Sequence, residues 1–265
     1  MRAYLALAAT AFRRALAYRV AFWTELVINL IFMVLYIYLW LALTRERSTV
    51  AGLDRRTLLT YIVIAQTVMT VEFTIRVVWE LERKVRSGAI VVELLRPIDF
   101  QAATMATACG PFLHTVLFNM IPKLAIFGAA GLVAAPPSAA AAVLFVASTL
   151  LGFVVQLGIE ICMGLTAFWL VEIRGITMFV SWGLGALFSG FFAPLDLYPA
   201  WLAAVGRVLP FHAVVYTPSA IWSGALSGGA ALFAVAVQVA WAAALLLGGR
   251  AMLALARRRL VVQGG

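Results

Sequence analysis

The sequence predicts an all-α integral membrane protein with about six transmembrane helices. Hydrophobic residues occupy 65% of the 265 positions and charged residues only 12%, which leaves more apolar surface than one soluble core can hide. Several apolar runs reach the roughly 20 residues that cross a bilayer, and most Lys and Arg residues stand between these runs. Helices are favoured because each one satisfies its own backbone hydrogen bonds in lipid.

The excess of positive charge does not indicate a nucleic-acid-binding protein. The net charge is +9, but the basic residues are not gathered on one soluble face interleaved with aromatic residues. They are interpreted as topological charges that flank spans and contact anionic lipid. Cys109 and Cys162 fall inside apolar runs at a spacing that suits neither zinc nor a redox pair, so we interpret both as small hydrophobic residues.

Residues 1–20 admit two interpretations. The apolar stretch after Arg2 resembles a signal peptide, but Arg13, Arg14 and Arg19 follow within a few residues. Apolar residues also recur at helical spacing, namely Leu5, Ala9, Phe12 and Leu16. This pattern favours a helix that lies on the membrane surface.

Six apolar runs follow, in a single transmembrane domain that covers residues 1–265. We expect spans at about residues 21–43, 58–79, 102–134, 139–171, 176–192 and 229–247. Pro122 is expected to kink the third span. Pro136 and Pro137 cannot continue a helix and predict a tight turn before the fourth.

Residues 193–227 break the helical pattern. Four prolines stand among apolar residues here, which is too broken for a simple helix and too apolar for an exposed loop. A re-entrant hairpin that dips into the membrane fits this composition best.

The distribution of Lys and Arg predicts the orientation. Thirteen basic residues flank one side of the predicted spans: Arg2, Arg13, Arg14, Arg19, Arg83, Lys84, Arg86, Arg96, Arg174, Arg250, Arg257, Arg258 and Arg259. Five flank the other: Arg45, Arg47, Arg55, Arg56 and Arg207. Both termini and residues 80–100 are therefore expected to be cytoplasmic in a cell or inner membrane, with the proline-rich hairpin outside.

Ionisable residues inside the predicted spans are the first candidates for a functional role, because they are costly in lipid. Glu72 and Arg76 stand four residues apart and are expected to pair. Lys123 follows Pro122 near the outer end of the third span and is expected to snorkel toward the interface. Glu25 and Glu160 can each reach an interface or a neighbouring helix, so their roles stay open.

The chain lacks the motifs of an enzyme. His114 and His212 are far apart and have no metal-ligand spacing, so we interpret them as packed or interfacial residues and predict no metal site. The sequence contains no HExxH, GxSxG or GxxxxGK[ST] pattern. It therefore cannot be an ATPase on its own, and we expect it to bind no cofactor.

A short amphipathic helix is predicted inside the charged segment 80–100. Ile90, Val91, Leu94 and Leu95 form an apolar stripe, and Arg96-Pro97 ends the helix. Such an element suits either a groove on another protein or the membrane surface. The residues alone do not choose between the two.

Three segments together resemble the membrane subunits of ABC transporters, specifically the type-2 or type V exporter-like permeases. They are Phe-Arg-Arg-Ala-Leu-Ala-Tyr-Arg at 12–19, Arg-Ser-Gly-Ala-Ile at 86–90 with Leu-Leu-Arg-Pro-Ile-Asp at 94–99, and Ala-Pro-Leu-Asp-Leu-Tyr-Pro-Ala-Trp at 193–201. Leu-Pro-Phe at 209–211 and Tyr-Thr-Pro at 216–218 belong to the third. The resemblance covers nearly the whole chain.

The resemblance implies a role for each segment. Residues 1–20 would be an interfacial connecting helix, and 193–227 a pair of short re-entrant helices with Pro194, Asp196, Pro199, Trp201 and Pro210. The segment 80–100 would carry a coupling helix that docks on a separate ATPase subunit. Its implied coupling residues are Arg86, Ser87, Gly88, Ile90, Val91, Leu94, Leu95, Arg96 and Pro97.

The same resemblance implies an ATP-driven exporter. Two permease subunits, identical or similar, would enclose a pathway formed largely by the first, second and fifth spans, with ATP and Mg²⁺ held by the partner ATPase. The scarcity of charge predicts a hydrophobic or amphipathic cargo. The rivals are a gradient-driven carrier or flippase, which would need a repeat or an ionisable relay, and a membrane enzyme or scaffold.

Overall fold

Helices make up nearly all of the described chain. The computed structural model describes residues 1–17, 19–45, 49–50, 52–74, 76–170 and 172–263, without the side chains of 19–21, 71–74 and 259–263. The α-helices are α1 Arg2–Ala17, α2 Arg19–Leu43, α3 Arg55–Thr74, α4 Val77–Arg86, α5 Ile90–Leu94, α6 Phe100–Thr115, α7 Ile121–Ala129, α8 Ala139–Leu165, α9 Arg174–Met178, α10 Ala186–Phe188, α11 Ala200–Val208, α12 Tyr216–Ser223 and α13 Gly228–Gln263.

Within the described residues, four helical segments are long and apolar enough to cross a membrane. They are Phe22–Leu43, Phe100–Ala129, Ala139–Phe168 and Gly228–Arg258, and they correspond to the predicted first, third, fourth and sixth spans. The prediction of an all-α membrane protein is confirmed. The predicted second and fifth spans fall on α3 and on the run from α9 to α10, and the total of six stays a prediction.

Polar side chains fix where several helices begin. The carboxylate of Asp99 accepts a hydrogen bond from the Ala102 N–H at 2.7 Å to start α6. Ser138 does the same for α8, accepting from the Ala141 N–H at 3.1 Å. At α3, the carboxylate of Asp54 accepts from the N–H groups of Arg56 and Thr57 at 3.1 and 3.3 Å. These side chains satisfy donors that the first helical turn leaves free.

The connection between the first two predicted spans contains a small hairpin. Strand β1, Thr49–Val50, pairs antiparallel with β2, Leu53–Asp54, and α3 follows directly at Arg55. The second predicted span therefore starts three residues early. Gly52 has a φ of 79°, a left-handed conformation that glycine adopts at little cost.

The predicted C-terminal end of the second span is also wrong. One helix was expected to continue to Trp79, but α3 ends at Thr74 and α4 begins at Val77. In an unbroken helix the N–H of Val78 would bond to the carbonyl of Thr74. Here it donates instead to the carboxylate of Glu160 in α8, at 2.9 Å.

The third predicted span is irregular, as Pro122 implied, but the irregularity begins before the proline. A π-helical turn, Val116–Met120, joins α6 to α7. Proline lacks an N–H and clashes with the preceding turn, and a π turn accommodates such a disruption within a continuous helix. A second π-helical segment, Phe179–Gly185, joins α9 to α10.

The last helix is longer than predicted. Helix α13 continues to Gln263, so the basic tail that was expected after residue 247 is part of the same helix. The sequence from Gly228 onward contains no proline and is rich in Ala, Leu and Arg, which are strong helix formers.

Helix α8 lies at the centre of the core. It packs against α13, α12 and α4, and its C-terminal half is almost entirely buried. Gln238 of α13 joins three elements here, because its amide donates to the carbonyls of Ser148 and Ala213 at 3.0 and 2.6 Å. The Ser148 hydroxyl donates to the Gln238 carbonyl oxygen at 2.9 Å.

Helix α1 packs lengthwise on α6. The Tyr4 hydroxyl accepts from the Asp99 N–H at 3.1 Å, and Phe12 makes an edge contact with His114. Of the stripe predicted to face the membrane, Phe12 therefore packs against protein, whereas Leu5 and Leu16 stay exposed. One face of α1 therefore packs on α6, and the exposed Leu5 and Leu16 lie away from that contact.

Candidate functional site

The segment predicted to form a coupling helix is a corner between two helices, which we call the α4–α5 corner (residues 77–95). Gly88 turns the chain between α4 and α5 with a φ of 73°, a conformation that other residues rarely adopt. Helix α5 covers only Ile90–Leu94, so it is a single turn and somewhat shorter than predicted.

The predicted apolar stripe of α5 is divided between two surroundings. Ile90 is fully buried, and Leu94 packs against the hydrophobic core. Leu95 is 80% exposed, and Val91 and Val92 are exposed as well. Ile90 and Leu94, which were predicted as coupling residues, therefore anchor the corner to the protein itself. The free surface consists of Val91, Val92 and Leu95.

One salt bridge holds α5 to α4, and two others lie within α4. The Lys84 ammonium lies 2.7 Å from Glu80 in its own helix and 2.9 Å from Glu93 in α5. Partial burial lowers the pKa of Lys84, but the hydrogen bonds and charges of the two glutamates outweigh it and raise the pKa above its ordinary value. Arg86 pairs with Glu82 at 3.3 Å. Salt bridges between its own residues therefore stabilise the corner.

Two contacts join the corner to α8. Glu160 is buried and its carboxylate accepts from the Val78 N–H, as described above. Gly164 lies against the side of α4, where a Cβ atom would approach Leu81 Cβ to 2.8 Å and Val78 Cα to 3.2 Å. The two helices are therefore in backbone-level contact, and the role left open for Glu160 is that of a cap on α4.

The remaining predicted coupling residues line the rim of the corner. Arg86, Ser87, Arg96 and Pro97 are all exposed. The Ser87 hydroxyl donates to the carbonyl of Lys84 at 3.4 Å, which helps to end α4. The outer surface of the corner therefore exposes both apolar side chains and two arginines, Arg86 and Arg96.

Residues 193–227, which we call the proline-rich end, fold into two short α-helices, α11 and α12, with 3₁₀ turns around them. Pro199 precedes α11, and Pro210 opens the 3₁₀ turn Pro210–Ala213. Pro194 is buried, whereas Trp201 is 69% exposed. How deeply these helices lie in a membrane stays a prediction.

Asp196 is the centre of a polar cluster at the proline-rich end. Its carboxylate accepts from Arg207 at 2.8 Å and from the Tyr216 hydroxyl at 2.7 Å. Nearby, the Tyr61 hydroxyl of α3 donates to the carbonyl of Gly190 at 2.8 Å. The bonds of Asp196 tie α11 to α12, and the bond of Tyr61 ties α3 to the segment that follows α10.

Lys123 does not snorkel. Its side chain is only 1% exposed, and the ammonium donates to the Thr70 hydroxyl of α3 at 2.9 Å. The prediction of an interfacial anchor is wrong because α3 covers the side chain and offers it an acceptor. Buried amines are tolerated when they are hydrogen-bonded in this way.

The other ionisable candidates lie apart. Arg76 approaches Glu25 of α2 to 3.5 Å, and both side chains are largely exposed. The side chain of Glu72 lies outside the described residues, so its pairing with Arg76 stays a prediction. Among the residues that the structure describes, no group of His, Cys, Asp or Glu side chains could hold a metal ion.

Two surfaces of the described chain expose many large apolar side chains. Along α2 they include Phe32, Leu35 and Tyr38, and around the π-helical segment they include Phe179 and Trp182. Such surfaces suit lipid or another membrane protein. The first and fifth predicted spans therefore both have an uncovered face.

The family model described as ABC-2 family transporter protein matches residues 30–264. The chain belongs to the ABC-2 transporter family. The match includes both the α4–α5 corner and the proline-rich end, and it makes the chain a membrane component of an ABC transporter, which is a permease that associates with an ABC ATPase subunit. No curated protein and no solved structure matches the chain.

Several residues that organise this ABC-2 family member gave no signal in its sequence. Gln238 and Tyr61 belong to no motif, and the Tyr-Thr-Pro segment that contains Tyr216 did not indicate its bond to Asp196. All three polar groups act only because separate parts of the chain meet there. The polar atoms of Gln238 inside an otherwise apolar span were the one available indication, because buried polar groups need partners.

Proposed function

We propose that the chain is the transmembrane subunit of an ATP-driven exporter and that a separate nucleotide-binding subunit docks on the α4–α5 corner. The observation that carries this proposal is the exposed apolar surface of Val91, Val92 and Leu95. It lies on a corner that is held to α4 and α8 by Lys84–Glu93 and Val78–Glu160 contacts and that also exposes Arg86 and Arg96. An apolar centre with a charged rim is the usual composition of a protein interface.

The contacts of the corner supply a path for force. A push on α5 reaches α4 through Lys84 and Glu93, and α4 passes it to α8 through Glu160 and Gly164. Helix α8 packs against α12, which carries Tyr216 and so reaches the Asp196 cluster. Closure of the ATPase subunits would thus rock the core helix and the proline-rich end together.

A second permease subunit, identical or similar, would cover the exposed faces of α2 and of the π-helical segment Phe179–Gly185. The pathway would lie between the two copies. Its scarcity of charge fits a hydrophobic or amphipathic cargo. ATP and Mg²⁺ would bind to the ATPase subunits, and this chain would supply no catalytic group.

The proposed topology places both termini and the α4–α5 corner in the cytoplasm and the proline-rich end outside, in a cell or inner membrane. The support is the excess of Lys and Arg on the flanks that carry α1, α4 and the end of α13.

Co-purification with a co-expressed ABC ATPase subunit from the same organism tests the proposal. Leu95→Asp places a charge on the free surface of α5 and should abolish co-purification and permease-stimulated ATPase activity. Trp201→Asp is the matched control, since it makes the same change at an exposed apolar residue of the proline-rich end and should leave co-purification intact. Size-exclusion profiles establish that both variants fold. Equal retention of the ATPase by wild type and Leu95→Asp would refute the docking assignment.

A further inference from the structure

Four consecutive backbone carbonyls at residues 189–192 each accept a hydrogen bond from another part of the chain. These residues follow α10, where the backbone has left the helix and turns toward the proline-rich end. Their donors belong to α2, α3 and α12, so the first and second predicted spans meet the end of the fifth here. The pairs are the Ser189 carbonyl with the Tyr216 N–H at 2.7 Å, Gly190 with the Tyr61 hydroxyl at 2.8 Å, Phe191 with the Gln66 amide at 3.5 Å, and Phe192 with the Tyr36 hydroxyl.

Gly190 fixes one side of this segment to α3 and α12. Its φ is 84°, a left-handed conformation that other residues rarely adopt. A Cβ atom on Gly190 would lie 2.5 Å from the Tyr61 hydroxyl and 2.8 Å from Tyr216 Cβ. Helices α3 and α12 also pack against each other, so the segment and these two helices form one packed unit.

Helix α2 contacts the same segment through one side chain, Tyr36. Its hydroxyl donates to the Phe192 carbonyl, and its ring stacks on Phe191 with centroids 6.2 Å apart and planes 9° apart. Beside it, Met33 and Ile37 pack in a small apolar cluster with α3 and α7. The opposite face of α2 is the uncovered surface described above. Helix α2 can therefore separate from the packed unit at the loss of few contacts.

The contact lies well inside the ends of the helices. Tyr36 is seven residues before the end of α2 (43 − 36), and Tyr61 is six residues after the start of α3 (61 − 55), so each is about 10 Å from a helix end. In the proposed topology this is membrane depth, where non-helical backbone is tolerated only inside protein or beside water. A Phe192 carbonyl that loses Tyr36 therefore needs water as its new partner.

We propose that the hydrogen bond from Tyr36 to the Phe192 carbonyl holds the outer end of the transport pathway closed and breaks when the pathway opens outward. Helix α2 then moves away from residues 189–192, which stay with α3 and α12, and water binds the freed hydroxyl and carbonyl. The inference rests on the proposed function, which assigns α2 and the fifth span to the pathway. Tyr36 is a positioning residue, because it acts by fixing α2.

Cysteine labelling from the outer side measures this closure without any ATPase. Met33→Cys, combined with Cys109→Ser and Cys162→Ser, places a thiol one turn inward of Tyr36, where the native side chain is only 1% exposed. A membrane-impermeant maleimide is added to right-side-out vesicles that contain the chain alone, and its reaction rate follows the open fraction. Tyr36→Phe keeps the ring and should raise this rate about fivefold, the factor that corresponds to about 1 kcal/mol for one hydrogen bond.

Tyr38→Phe is the matched control, because Tyr38 carries the same hydroxyl on the same helix but is 67% exposed. It should change the rate by less than about twofold. A second reporter, Val155→Cys, lies in the buried core of α8 and should label equally slowly with and without Tyr36→Phe. If Met33→Cys fails to fold, Ile37→Cys takes its place on the same buried face of α2.

The purified complex with an ABC ATPase subunit links the closure to transport. In an exporter driven by closure of its ATPase subunits, ATP should raise the labelling of Met33→Cys. Tyr36→Phe should reduce the ratio between the rates with and without ATP, because the closed state is already weakened.

Three results would overturn the proposal. Equal labelling of Met33→Cys with and without Tyr36→Phe would show that the bond does not hold α2 closed. A parallel rise at Val155→Cys would indicate general loosening of the fold. Labelling that ignores ATP while the ATPase is bound would show that α2 does not separate during transport. A failure of the ATPase to bind would instead refute the docking assignment, and labelling of the chain alone would still decide the role of Tyr36.

Discussion

The carboxylate of Glu160, buried in α8, accepts a hydrogen bond from the backbone N–H of Val78 at a distance of 2.9 Å. This single bond replaces the helical bond that would have joined α4 to α3, and it fixes the first turn of α4 to the core helix. An acceptor at a helix N-terminus is favourable because it satisfies a donor that the first helical turn leaves free.

Replacement of Glu160 should therefore destabilise the α4–α5 corner. Glu160→Leu leaves the Val78 N–H buried without its acceptor, at a cost of about 1–3 kcal/mol. Glu160→Gln keeps a carbonyl oxygen in place and should cost less. Thermal unfolding in detergent gives the order, and a variant Glu160→Leu as stable as Glu160→Gln would show that the bond contributes little.

The division of the α5 stripe predicts that substitutions of its buried and exposed residues differ in their effect on stability. Ile90→Ala creates a cavity in the core and should cost about 2–5 kcal/mol of stability. Leu95→Ala removes an exposed side chain and should stay within about 0.5 kcal/mol of wild type. Thermal unfolding separates the two cases. Comparable losses at both positions would contradict the division of the stripe.

The contact between Lys123 and Thr70 predicts a specific pattern of substitutions. Thr70→Val removes the acceptor of a buried ammonium and should cost about 1–3 kcal/mol, whereas Lys123→Met removes the charge itself and should be milder. Thr67→Val serves as the control, because the Thr67 hydroxyl is buried in the same helix but donates only to the Val63 carbonyl. A double-mutant cycle of Thr70→Val with Lys123→Met should show non-additive effects.

The salt bridges of Lys84 predict that the stability of the fold depends on pH in the alkaline range. Because the folded-state pKa is raised, the stabilisation is fully present below the unfolded value of about 10.4 and is lost as the pH rises through the folded pKa. Wild type should thus exceed Lys84→Gln in thermal stability at pH 8, by up to about 1 kcal/mol. The two should converge above the folded pKa, and a constant difference across this range would argue against an electrostatic origin.

Gly110 is expected to be intolerant of any side chain. Gly110→Ala forces a Cβ atom to 2.5 Å from the backbone of Phe12, so α1 must move away from α6. Gly128→Ala is the control, since it is also helical but has open space around it, and it should be neutral or stabilising by up to about 1 kcal/mol. Limited proteolysis near Arg13 and Arg14 reports the release of α1.

Much of this architecture could be predicted from apolar length and helix-breaking residues alone. The long spans and the break at Pro136-Pro137 follow from local chemistry, and so does the irregular segment at 193–227. The division of the α5 stripe could not be predicted, because periodicity identifies an apolar face without saying which neighbour covers half of it. For the same reason Lys123 was assigned to the interface, since only the position of Thr70 in a separate helix makes burial tolerable.

The close approach of Phe12 and Gly110 also has a consequence for biosynthesis. The two residues are 98 positions apart (110 − 12), so at translation rates of about 5–20 residues per second α1 emerges roughly 5–20 s before its docking surface exists. During that interval α6 cannot shield the inner face of α1. The exposed Leu5 and Leu16 allow the nascent helix to bind the membrane surface until α6 is inserted and α1 packs against it.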